Sequence, residues 1–203
     1  MKKAVAIAIV LLIVLVGYLY LTHAPTVQKP EGLNNVDARI VIKYEDGREE
    51  TINPSSPVFS VLLWQHSVFY GGSKISYIYT FWDITSTVGS ETGTVDYQYT
   101  VWVQGSASTT KMHPVTSTDI GKPLGTKYTL GYSSWVDATT IQSTLGIGTF
   151  TLNFYLDLSA TAKTTGATPD TYTGTKTAYV STQVTVQQGT LTITAVAQGI
   201  GYT

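Results

Sequence analysis

The fold class predicted by this 203-residue sequence is all-β: an antiparallel β-sandwich or jelly roll preceded by a single N-terminal transmembrane helix. Three observations predict it. Segments such as Val95–Val103 and Phe150–Leu158 alternate apolar and polar residues, the period-two pattern of strands with one buried face. Turn-forming pairs such as Asp46-Gly47 and Gly71-Gly72 punctuate these segments, as hairpins require. The stretch Ala4–Leu21 carries no charge and is apolar on every side, which suits hydrocarbon better than a half-wet core.

From the N-terminus, Ala4–Leu21 would span about 27 Å as a helix, enough for a bilayer's hydrocarbon core. Tyr18 and Tyr20 fall where an interfacial aromatic belt sits,. Lys2 and Lys3 on the short flank place the N-terminus inside and the rest of the chain outside,. Residues 1–22 are therefore expected to be a signal anchor, with the lipid bilayer as first partner through Ala4–Leu21. Secretion is the alternative, but the best small-residue site, Thr22-His23-Ala24, would leave Pro25 directly after the cut. The apolar run also exceeds the usual 7–15 residues of a signal peptide's core. The start Lys2-Lys3-Ala4 before a long apolar run resembles the N-terminus of archaeal type IV pilins and archaellins. That resemblance implies cleavage just before the helix and packing of the helix in a filament core. Pro25 and Pro30 depart from it, because they interrupt a helix that those families run on further,.

Residues 23–35, rich in Pro, Gly and Asn, read as a stalk, and residues 36–203 as one external domain,. Ala38–Tyr44 and Glu49–Ile52 around Asp46-Gly47 predict a hairpin,. A dense apolar stretch, Val58–Trp64, and Val68–Tyr70 lead to the Gly71-Gly72 turn, after which Ile75–Phe81 alternates again. Beyond the strand at Val95–Val103, a helical turn or two is predicted between Asp137 and Leu145. Asp137 can cap it, Ile141 and Leu145 share a face, and Gly146 can end it,. Phe150–Leu158 follows as a strand, Thr161–Lys176 as a loop or exposed hairpin tip, and Thr173–Val186 and Thr190–Val196 as further strands. The expected elements are short strands with turns every 8–12 residues or so.

Composition excludes several functions. Only 12% of residues are charged and the net charge is −1, so the clustered cations that bind nucleic acid are missing. The absence of cysteine removes disulfides, thiolate metal sites and thiol nucleophiles,. The external histidines are His66, in an apolar strand and expected to be structural, and His113, before Pro114 and expected in an exposed loop. No G-x-S-x-G elbow occurs,. Loop carboxylates such as Asp119 or Asp170 are the candidates for a calcium ion. No enzyme activity and no cofactor are expected.

The aromatic content points to contact surfaces. Trp102 lies out of phase with Val101 and Val103, beside Gln98 and Thr100 on the polar face of its strand. It is expected either to present a contact surface or to pack under a second sheet. With Trp135 and nearby tyrosines it could form a glycan platform. Between Ser73 and Gln104 the only charges are Lys74, Asp83, Glu91 and Asp96. That bias resembles interface composition, and it makes Tyr77, Tyr79, Tyr97, Tyr99 and Trp102 the candidate interface for self-association or for other proteins of the same assembly. The low charge and the Thr/Ser/Tyr/Gly-rich β sequence resemble those of envelope and virion proteins of thermoacidophilic archaea and their viruses. This similarity of composition implies a non-enzymatic, membrane-anchored subunit of a virion or archaeal cell surface. A pilus or filament subunit, or an adhesin, is the alternative. Asn53-Pro54-Ser55 is blocked as a glycosylation acceptor by its proline,, which weighs against an exposed filament in a glycosylating archaeon.

Overall fold

The structure, a computed structural model, describes residues 35–52, 75–166, 168–187, 190–196 and 200–202. The chain divides into two units, Met1–Glu31 and Gly32–Thr203. The expected anchor, the stalk up to Asn34, Val58–Trp64, His66 and the Gly71-Gly72 turn lie outside the described residues. Among those described, no helix is long and apolar enough to cross a membrane.

Among the described residues, the second unit is mostly antiparallel β, in two sheets with one helix. Strands β1 (Asn35–Tyr44) and β2 (Glu49–Ile52) form the hairpin expected around Asp46-Gly47. Asp46 accepts the Arg48 backbone N–H at 3.1 Å, and Gly47 takes a φ of +84° that a side chain would resist,. β3 (Ile75–Thr85) pairs with β1 along its length. Its far edge is shared by two short strands, β6 (Tyr128–Thr129) and β7 (Ser134–Asp137). These five strands make the smaller sheet.

The larger sheet runs β10 (Thr190–Val196), β9 (Thr171–Gln187), β8 (Gly148–Thr164), β4 (Gly93–Gly105) and β5 (Met112–Pro123). A two-residue strand, β11 (Gly201–Tyr202), also pairs with β9. β8 and β9 have 17 residues each, so the expectation of short strands is corrected. Of the two readings of Thr161–Lys176, a loop or an exposed hairpin tip, the segment is the end of a hairpin, but pairing continues from Ala160↔Gly174 to Lys163↔Thr171, so the turn is shorter than expected. Small residues hid this. Ala160 and Ala162 face inward, fully buried, but their methyls give a weak hydropathy signal, and threonine is a good strand former.

β5 was not expected as a strand. Its residues alternate in exposure with few apolar positions, and it carries Pro114 at the edge of the sheet, where a missing N–H is tolerated. His113 therefore lies in this strand, and its placement in an exposed loop is corrected. Its imidazole stacks on the Trp135 indole, centroids 3.9 Å apart, and its φ is +47°.

The two sheets share one core. The smaller sheet supplies residues such as Ile40, Ile78, Trp82 and Ile84, and the larger supplies Val95, Val101, Leu152, Phe154 and Leu156. Each such side chain, fully buried, contributes about 1.5–3 kcal/mol. A polar strut crosses this core: Trp82 Nε1 donates to Ser134 Oγ at 2.9 Å, and Ser134 Oγ donates to the Tyr155 carbonyl at 2.8 Å. It ties β3 and β7 of one sheet to β8 of the other. The helix α1 (Ala138–Leu145) forms as expected, with the Asp137 carboxylate accepting from Thr140 N at 2.7 Å and Gly146 closing the last turn. Ile141 is buried and Leu145 packs against the core.

Candidate functional site

The five residues expected to form one interface are split three ways. Tyr97 and Tyr99 share the parity of Val95, Val101 and Val103, so the pleat turns them into the core, where each is 1% exposed. Their hydroxyls are tied down, Tyr97 donating to Ser86 Oγ at 3.0 Å and Tyr99 to Asp119 Oδ2 at 3.1 Å. Burial pushes both phenol pKa values up,. These two cannot present a surface, and that expectation is corrected.

Trp102 does lie on the outer face of the larger sheet, in phase with Gln98 and Thr100, yet it is only 5% exposed. Among the described residues, neither an open contact surface nor a covering second sheet accounts for this. The indole is sandwiched between neighbours within its own sheet. Tyr155, from β8 on one side, stacks on it at 4.9 Å and 11°, and Lys111, just before β5 on the other side, places Nζ 3.8 Å from the ring centroid. Its Nε1 has no hydrogen-bond partner among the described residues.

Tyr77 and Tyr79 lie on the outer face of the smaller sheet, because the even residues of β3 fill the core. Their rings stack at 5.8 Å, Phe81 continues the stack, and Trp135 from β7 lies opposite Tyr79, centroids 6.3 Å apart. Burial raises the Tyr79 phenol pKa. Beside this aromatic cluster Asp83, 2% exposed, accepts from Arg39 Nε at 3.0 Å and Thr129 Oγ1 at 2.6 Å, and pairs with Lys127 Nζ at 3.0 Å.

The acidic and histidine candidates are held in structural pairings. His113 Nε2 sits 3.3 Å from Asp137 Oδ2, at ion-pair distance without hydrogen-bond alignment. Burial works against ionisation of Asp137, but bonds from Thr140 and the nearby imidazole outweigh it and lower its pKa. With one face of the imidazole against Trp135 and Asp137 engaged in capping, the pair clamps β5 to the start of α1. Asp119 Oδ2 accepts from Tyr99 and from Gly131 N, and Asp170 Oδ1 from Thr171 N. Among the described residues no group of three His, Asp or Glu could hold a metal ion.

Sequence reasoning missed the surface that the larger sheet builds from several strands. The register aligns outward residues of β4, β8 and β9 into rows across the sheet. Trp102, Tyr155 and Tyr179 form an aromatic row. Next come Thr100, Asp157 and Thr177, then Gln98, Ser159 and Thr175, then Asp96, Thr161 and Thr173. Asp96, Asp157 and Lys163 are the only charged side chains among the outward positions of these three strands, and Asp96 pairs with Lys163 at 3.0 Å. The two middle rows line a shallow depression of about 470 Å³. The parity of Tyr155, opposite to that of Phe154 and Leu156, was the available signal. Which strands lie side by side was not available, because β4 and β8 are far apart in sequence. Comparison of the chain with protein-family models, characterised proteins and solved structures finds no match.

Proposed function

We propose that this chain is a non-enzymatic structural protein, a membrane-anchored subunit of a virion or archaeal cell-surface assembly. Ala4–Leu21 is its anchor, and the two-sheet body, an antiparallel β-sandwich, is its external domain. The observation that supports this most is the aromatic cluster Tyr77–Tyr79–Phe81–Trp135 on the outer face of the smaller sheet. An outward sheet face is ordinarily polar, whereas the cores of protein interfaces are enriched in aromatic residues and depleted in Lys and Glu. The occupant of that face is another copy of the chain or a neighbour in the same assembly. A chain with only 12% charged residues also has little of the like-charge repulsion that keeps domains apart.

The test is to extract purified particles or native membranes with increasing detergent and follow the protein by sedimentation. The chain should travel with the assembly, and Tyr79→Arg should release it as a monomer. A full-length protein that is monomeric in its native membrane, with Tyr77 and Tyr79 open to chemical labelling, would refute the reading.

A further inference from the structure

We infer that the depression on the outer face of the larger sheet binds a neutral saccharide, a use separate from the assembly face proposed above. Its shape comes from the pleat. Two rows of short side chains lie between the aromatic row and the Asp96–Lys163 pair, and the floor is the strand backbone at Tyr99, Leu158 and Lys176. The volume of about 470 Å³ falls within the range of small-ligand sites, roughly 300–1,000 Å³.

The chemistry of the lining selects the ligand. Gln98, Ser159 and Thr175 make no side-chain hydrogen bond among the described residues, so an amide and two hydroxyls are available. Asp157 Oδ1 accepts from Thr177 Oγ1 at 2.6 Å, which orients the carboxylate and leaves its second oxygen open. A lining of mixed donors and acceptors suits groups that both donate and accept, as sugar hydroxyls do. Anionic ligands are disfavoured because Asp157 faces them, while the Lys176 ammonium is held over the Tyr202 ring at 4.3 Å. Apolar ligands find little here, since Tyr99 and Leu158 turn their side chains into the core. A peptide strand would need an open sheet edge, and this depression lies on a face whose strands are already paired.

The aromatic row supplies the remaining feature of a sugar site, an apolar wall beside polar groups. Both faces of Trp102 are occupied, and Tyr155 lies between Trp102 and Tyr179, so the Tyr179 ring and the edge of Tyr155 are what a sugar can meet. Trp102 adds a buried Nε1 donor without a partner, one row from the depression.

The experiment uses the full-length protein in a detergent without a sugar headgroup. It is applied to an array of neutral gluco-, manno- and galacto-oligosaccharides together with sulfated and sialylated ones, and the best neutral binder is then titrated by calorimetry. Neutral glycans should bind and anionic ones should not. Ser159→Tyr, which fills the depression, should weaken binding by about tenfold or more. Asp157→Asn, which keeps the shape, should weaken it about fivefold. Thr185→Ala, on the same face away from the depression, should leave it unchanged. Near-UV circular dichroism checks that each variant is folded, and if Ser159→Tyr is not, Asp157→Asn and chemical-shift mapping of the bound glycan decide. The inference is overturned if the folded protein binds no neutral glycan, if anionic glycans are preferred, or if the folded variants bind as well as the parent. Loss of assembly in Tyr79→Arg would leave it standing, so the two readings fail separately.

Discussion

Ser134→Ala tests whether the two sheets are joined by the polar strut through the core. Ser134 and Trp82 are both fully buried, and the substitution leaves the Trp82 indole N–H without an acceptor. An unsatisfied buried donor costs about 1–3 kcal/mol, partly offset because one hydroxyl fewer is buried, so a net loss of about 2 kcal/mol is expected. In a domain of this size that lowers Tm by about 4–8 °C. The decisive measurement is a double-mutant cycle. Trp82→Phe removes the donor, so Ser134→Ala should cost about 1 kcal/mol less in that background. The Tyr155 carbonyl loses its extra partner in both backgrounds, and that contribution cancels. Urea unfolding of the full-length protein in non-ionic micelles, followed by far-UV circular dichroism, gives each value, and the m-value should not change. Additivity within about 0.5 kcal/mol would show that the two side chains are not energetically linked, and the strut would lose its role.

Four further outcomes are expected. Asp83 is buried, which alone would raise its pKa, but bonds from Thr129, Arg39 and Lys127 outweigh this and lower it. Its contribution is therefore present above the unfolded carboxylate range, near pH ~3.9, and lost as pH falls through its folded pKa. Asp83→Asn should lower Tm at neutral pH and flatten its decline on acidification. Asp137→Ala should cost about 1 kcal/mol through the lost helix cap, with Asp137→Asn recovering most of it in thermal melts. At Gly93, φ is +155° and a Cβ would overlap the Lys163 carbonyl oxygen, so Gly93→Ala should destabilise by about 1–3 kcal/mol in chemical unfolding. Tyrosine nitration mapped by mass spectrometry should spare Tyr97 and Tyr99 in every state, and should modify Tyr77 and Tyr79 in monomers but not in assemblies.

The elements that could be read from the chain were those whose buried faces carry large side chains. Phe150, Leu152, Phe154, Leu156 and Leu158 marked β8, and Asp137 with Gly146 marked both ends of α1. Where burial falls to alanine, as at Ala160 and Ala162, the same strand ran on unnoticed. β5 escaped because an edge strand can bury one side on Met112 and Val115 while the rest stays polar. Parity alone could have placed Tyr97 and Tyr99 in the core, since each is an even number of residues from Val95 and Val101. The rows across the larger sheet depend on register between distant strands, which no local pattern encodes.

The pairing of β4 with β8 also governs the order in which the molecule can be completed. β4 ends at Gly105, and its partner is not finished until Thr164. At about 5–20 residues per second, synthesis of the intervening stretch of about 60 residues takes roughly 3–12 s. During that interval one edge of β4 is open, and the segment contains Tyr97, Tyr99 and Trp102. The β4–β5 and β8–β9 hairpins close locally, but joining them is a non-local step of the kind that slows folding. The nascent chain thus passes through a seconds-long stage with an exposed, aromatic, weakly charged strand edge, the stage at which mispairing with other chains competes with folding.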